Sequence, residues 1–138
     1  MAYEKEIDDA RDVAKYAYAP YSGFKVGCAL YKDGRLFSMG VNVENASYGL
    51  TLCAERAALA RVVTVGHPLD MGVGVVLVIY ADAEKPAMPC GACRQWMIEL
   101  IPNATVVSAT DNAVEVATVR ALLPQPFVLE VSDGNAPV

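Results

Sequence analysis

Val73-Gly74-Val75-Val76-Leu77-Val78-Ile79-Tyr80 is an unbroken apolar run, and what flanks it decides the fold. A Val-rich run without polar alternation predicts a strand covered on both faces. Upstream, Leu52–Val65 reads as a helix, with Thr51 in position to cap it and Gly66 to close it. Downstream, Cys90–Ile101 reads as a second core helix, stopped by Pro102. Further out, Tyr3–Tyr18 has apolar residues near helical spacing (Ile7, Ala10, Val13 or Ala14, Ala17) and ends before Pro20. Phe24–Tyr31 and Arg35–Glu44 predict a hairpin about Asp33-Gly34, followed by a loop over Asn45–Leu50. On the C-terminal side the spacing predicts a strand at Ala104–Ala109, a short helix at Thr118–Leu123 and a last strand at Phe127–Val131. Two strands followed by alternating helix and strand predict an α/β fold, a mixed sheet with helices packed on it.

Length and composition bound the function classes. A chain of 138 residues without repeats, low-complexity tracts or polar linkers predicts a single domain over 1–138. Its hydrophobic fraction of 54% excludes intrinsic disorder, and it predicts that some surface is covered by subunit contacts. The longest apolar stretch, Met71–Ala81, is about half of the ~20 residues a membrane span needs. The mixed-charge start Met1-Ala2-Tyr3-Glu4-Lys5-Glu6 lacks the apolar core of a signal peptide, so the cytosol is the expected location. A net charge of −5 argues against broad adhesion to nucleic-acid backbones. In a reducing compartment, Cys28, Cys53, Cys90 and Cys93 are metal ligands or buried thiols rather than disulfide partners.

The chemistry lies in Thr51-Leu52-Cys53-Ala54-Glu55-Arg56 and Met88-Pro89-Cys90-Gly91-Ala92-Cys93-Arg94-Gln95. Cys90 and Cys93 sit one helical turn apart on one face, at a helix start whose free amides and dipole favour thiolates. Cys53 opens the other central helix. If the two helices lie side by side, three soft sulfur ligands converge, a donor set suited to zinc, one ion per subunit. Three protein ligands leave a position for water, as catalytic zinc sites do, whereas structural sites use four. Cys28, between Gly27 and Ala29 in a strand, reads as a small buried thiol rather than a fourth ligand. His67 lies at the far end of the Cys53 helix, about 20 Å away at 1.5 Å per residue, and so out of reach.

Glu55, two residues from Cys53, does not share its face and reads as a proton carrier beside a metal-activated water rather than a ligand. Zinc with three thiolates carries a net negative charge, and Arg56 is placed to offset it by hydrogen bonding to sulfur. Arg94 reads equally well as such a group or as a solvated surface charge. A lone Cys-x-x-Cys is common in redox and structural-zinc proteins. A ligand-x-Glu followed by Pro-Cys-x-x-Cys is the more specific signature of zinc nucleobase deaminases.

With Phe24-Lys25-Val26-Gly27, Asn42-Val43-Glu44-Asn45 and Leu122-Leu123-Pro124-Gln125-Pro126-Phe127 in the same order, the chain resembles the small homotetrameric zinc-dependent cytidine deaminases over most of its length. That resemblance implies a three-layer α/β/α sandwich with a mixed central sheet. It implies zinc on Cys53, Cys90 and Cys93, with Glu55 as proton shuttle. It further implies Asn42 and Glu44 on ribose hydroxyls, Phe24 and Ala54 lining the pocket, and Tyr48 and Phe127 reaching a neighbouring subunit's site. The activity implied is hydrolysis of cytidine and deoxycytidine to uridine and deoxyuridine plus ammonia, a step of pyrimidine salvage, in a homotetramer with shared sites. The partner is thus a small nucleoside, with neither nucleic acid nor membrane involved. Taken alone, Asn42 and Glu44 are two apart on an expected strand, so both face one side and can hold vicinal hydroxyls. Ala57, Ala58 and Ala60 are small enough for close approach of another subunit. Two alternatives stand beside this reading. One is deamination of a related aminopyrimidine such as blasticidin S, because the tail Val128-Leu129-Glu130-Val131 departs from the cytidine-deaminase pattern. The other is a non-catalytic module around structural zinc.

Overall fold

The computed structural model describes residues 2–130. The apolar run becomes β3 (Val75–Ala81), the centre of a five-stranded sheet with order β2-β1-β3-β4-β5. Its partners are β1 (Val26–Lys32) on one side and β4 (Thr105–Ala109) on the other. β2 (Arg35–Val41) and β5 (Val114–Thr118) form the edges. Only β3 and β4 run parallel, and α3 (Gly91–Leu100) lies on the crossover between them. All other pairings are antiparallel, so the sheet is mixed as expected. The β1–β2 turn has Asp33 at φ 50° and Gly34 at φ 80°, the positive pair that a two-residue hairpin demands.

Each face of the sheet carries its own core. One joins Cys28, Leu30, Leu77, Ile79 and Val106 to Ala54, Ala58, Leu59 and Val62 of α2 (Ala54–Thr64) and to Cys93 and Met97 of α3. The other joins Ala29, Tyr31, Val78, Tyr80 and Val107 to Ile7, Ala10 and Ala14 of α1 (Glu4–Ala14). This is the α/β/α sandwich. Two glycines set how closely the helices dock. A Cβ on Gly27 would lie 2.0 Å from the Ala10 carbonyl oxygen, and one on Gly40 would lie 2.5 Å from the Ala58 nitrogen. Ala58 is therefore spent on packing within the chain and is fully buried, not held for another subunit; Ala57 and Ala60 are half-buried.

Several expectations need correction. The first helix stops at Ala14 rather than Tyr18, and β2 stops at Val41 rather than Glu44. Thr51 does not cap α2: Cys53 occupies the N-cap position, while Thr51 ends a single 3-10 turn, Tyr48–Leu50. Gly66 does close α2, at φ 74°. β5 fills a stretch in which no element was expected. The expected strand at Phe127–Val131 is absent over residues 127–130, and Val131 lies outside the described residues. The last helix, α4 (Val119–Leu122), does form, capped by the Thr118 hydroxyl, which accepts from the Ala121 amide. Among the described residues, no helix is long and apolar enough to cross a membrane.

Candidate functional site

α2 and α3 start side by side, and their starts bring the three cysteines together. Cys53 and Cys90 are the N-cap residues of the two helices, and Cys93 lies in the first turn of α3. All three sulfurs lie within 4.8 Å of one another, with Cys53 Sγ and Cys90 Sγ 3.7 Å apart. Tetrahedral zinc at about 2.3 Å from each sulfur needs sulfurs about 3.8 Å apart, so the cluster has the dimensions of such a site. Among the described residues, no fourth His, Cys, Asp or Glu joins it. Cys28 is fully buried in β1, where burial pushes its thiol up and the nearby Glu55 charge adds to that. His67 packs instead on Phe37, ring centroids 5.4 Å apart.

Arg56 Nη2 donates to Cys53 Sγ and to the Thr51 carbonyl, both at 3.4 Å. Its Nε is buried without a hydrogen-bond partner among the described residues, a leftover positive donor beside the thiol cluster. The cluster already favours charge without metal. The neighbouring Cys93, helped by Arg56 and Cys90, lowers the Cys53 thiol to about 5. Cys93, beside Cys53 and buried, is pushed up. Three sulfurs at two helix starts, an arginine donating to one of them and no fourth protein ligand among the described residues all fit zinc.

Glu55 is buried at 5% exposure, in the first turn of α2. Burial holds its carboxyl above the usual carboxylate range, and the Cys53 charge works in the same direction. A buried carboxyl with a raised affinity for protons is suited to general acid–base work. Ala54, buried at the first position of α2, separates it from Cys53. Arg94 does not bond to sulfur. Its Nε donates to the Pro89 carbonyl at 2.7 Å and its Nη1 to the Leu122 carbonyl at 3.0 Å, bracing the chain just before Cys90.

A second cluster lies on loops. Asn42 Oδ1 accepts from the Val26 amide and Asn42 Nδ2 donates to the Phe24 carbonyl, both at 2.8 Å. Glu44 Oε1 accepts from the Tyr21 and Ser22 amides at 2.9 and 3.1 Å, and Oε2 accepts from the Ser22 hydroxyl. These bonds hold the Glu44 carboxyl below its ordinary range, the Ser22 hydroxyl contributing most. Glu44, Tyr21, Ser22, Tyr48 and Thr51 line a cavity of about 420 Å³. Tyr48, 75% exposed, meets Tyr21 edge-on at 6.1 Å, and Phe24 is 41% exposed. Val43, between Asn42 and Glu44, exchanges both backbone hydrogen bonds with Leu52, each 2.9 Å, joining this cluster to the residue before Cys53.

Phe127 joins neither cluster. It is 71% exposed, held by its carbonyl to Gln95 Nε2, and lines a groove of about 620 Å³ with Ala60, Val63, Trp96 and Leu100. The sequence reading missed Tyr21, Ser22 and the Thr51 carbonyl. The available signal was Ser22-Gly23, a pair that favours a turn closed by the serine hydroxyl.

Known proteins resemble this chain in sequence and fold. The family model described as the cytidine and deoxycytidylate deaminase zinc-binding region matches residues 2–109. A cytidine deaminase of Halalkalibacterium halodurans is 45% identical over 127 residues, covering 90% of this chain and 92% of that one. A probable cytidine deaminase of Dictyostelium discoideum is 40% identical, covering 92% of this chain and 84% of that one. Among solved structures, a cytidine deaminase from Burkholderia pseudomallei superposes with a TM-score of 0.82 at 42% identity, covering 92% of this chain and all of that one.

Proposed function

The chain belongs to the cytidine and deoxycytidylate deaminase family, and on that premise we propose that it hydrolyses cytidine and deoxycytidine to uridine and deoxyuridine plus ammonia. The observation that carries the reading is the three-sulfur cluster with no fourth protein ligand among the described residues, beside a buried carboxyl. Cys53, Cys90 and Cys93 would hold one zinc ion, whose Lewis acidity makes water a competent nucleophile near neutral pH. Water adds its oxygen to C4 of the pyrimidine, the C4–N bond breaks, and ammonia leaves. Glu55 takes a proton from that water, places one on N3 and later passes one to the departing amine. Its raised affinity for protons suits both directions of that transfer. Arg56 offsets the excess negative charge of the thiolates.

On the sugar side, Glu44 and Asn42 are assigned to the ribose hydroxyls, with Phe24 and Ala54 lining the base pocket. A carboxylate in an open cavity favours an ordinary nucleoside as substrate. We assign residues 1–138 to one domain, and the assembly to a homotetramer in which Tyr48 and Phe127 complete neighbouring sites. Their high exposure, and the apolar groove between α2 and α3, support that assignment. The four free thiols fit a reducing, cytosolic setting and a role in pyrimidine salvage. The test is ammonia release from cytidine, deoxycytidine and blasticidin S by zinc-loaded protein. Turnover of the first two supports the assignment. Turnover of blasticidin S alone moves the substrate, and no release from any leaves a structural zinc module.

A further inference from the structure

Ser22 carries no role in the chemistry so far, yet its hydroxyl sits between the residues assigned to sugar and base. The Phe24 amide donates to Ser22 Oγ at 2.9 Å, and Ser22 Oγ donates to Glu44 Oε2. A hydroxyl has one proton to give. Because the Phe24 N–H occupies an acceptor lone pair, the Ser22 proton is turned toward Glu44. The Ser22 and Tyr21 amides take the other carboxylate oxygen, so one four-residue segment grips Glu44 from both ends. Glu44 thus has three donors on it already and roughly one of its four acceptor positions left. The donors fix the direction in which that position points.

We propose that Ser22 is a positioning residue for nucleoside binding: its hydroxyl locks the Glu44 carboxylate to the backbone of Phe24, so that sugar and base contacts keep a fixed separation. This rests on the assignment of Glu44 to the ribose. Ser22 is exposed and is tied to its surroundings by these hydrogen bonds, so its effect is on alignment more than on folding.

The test compares wild type, Ser22→Ala, Ser22→Thr, Glu44→Gln and the Ser22→Ala/Glu44→Gln double variant, on cytidine and on 2′,3′-dideoxycytidine. Ser22→Ala is expected to raise KM for cytidine about tenfold, the scale of one hydrogen bond to a charged group, with kcat changed far less. Ser22→Thr, which keeps the hydroxyl, restores KM. With 2′,3′-dideoxycytidine, which has no vicinal hydroxyls, Ser22→Ala and wild type should perform alike. On the Glu44→Gln background, Ser22→Ala should add little, because both changes remove one coupled unit. Equal losses on both nucleosides, additive losses in the double variant, or an unchanged cytidine KM in Ser22→Ala would each overturn the proposal. So would a thermal melting point lowered in step with activity. Wild type inactive on cytidine overturns the assignment of function instead, and is read from the wild-type protein alone.

Discussion

The thiol cluster and the cavity at Glu44 are neighbours built by opposite means. The thiols stand at the starts of two helices, and Cys93 and Glu55 are buried. Regular backbone places them, and the sheet behind α2 and α3 keeps it in place. The cavity around Glu44 has no helix or strand of its own beyond one 3-10 turn. There, side chains replace secondary structure: Asn42 acts as the partner strand for Phe24 and Val26, and Glu44 binds the amides of the Tyr21–Ser22 turn. The thiol cluster is thus anchored by packing, and the Glu44 cavity by a few polar side chains.

The largest break should come at the thiols. Cys90→Ala is expected to lower zinc per chain well below one by elemental analysis, abolish turnover and lower the melting temperature, since metal binding adds to folding stability. Full zinc occupancy in that variant would mean Cys90 is no ligand. Next in size, Glu55→Gln should keep zinc and fold while losing about 10²–10⁴ in kcat, the usual share of a general acid–base. Near-normal turnover would remove Glu55 from the proton path.

Smaller effects belong to the loop cluster. Asn42→Ala leaves the Val26 amide and the Phe24 carbonyl without their partner, and should cost about 1–3 kcal/mol of stability in denaturant titration. It should also raise KM more than it lowers kcat; the reverse pattern would place Asn42 at the reacting centre. The smallest effect is titrational. Glu44 is held below its ordinary value of 4.5 by the Ser22 hydroxyl and the Ser22 and Tyr21 amides. A depressed carboxylate stabilises the fold above the unfolded value, and that contribution disappears as pH falls through the folded one. The melting difference between wild type and Glu44→Gln should therefore shrink below about pH 4.5; a constant difference would mean the carboxylate charge is not what the loop uses.

The same contrast decides what could be read from the chain. Cys90 and Cys93 sit one helical turn apart and Cys53 opens the other helix, so the convergence of the three thiols was legible once two adjacent helices were expected. Asn42 and Glu44 were expected to share one strand face, but β2 ends at Val41 and both are fixed by the 21–26 loop, whose shape no periodicity encodes. β5 was missed because it is a short edge strand, largely exposed and paired only to β4, so its form comes from pairing rather than from its own pattern. The apolar residues Val128 and Leu129 imitated a strand, yet they are 70% and 56% exposed and have no ladder beside them. Arg94 could be read either way because neither its bond to Pro89 nor that to Leu122 leaves a trace in spacing.

Because Val43 and Leu52 are tied to each other by both of their backbone groups, Asn42 and Glu44 share a common datum with Cys53. That crosspiece holds residues 42–44 to the chain just before α2. Retuning for a bulkier nucleoside is then a matter of exchanging side chains in place, or of lengthening the excursion 44–51 that leaves and rejoins that crosspiece, where extra residues carry little entropic penalty.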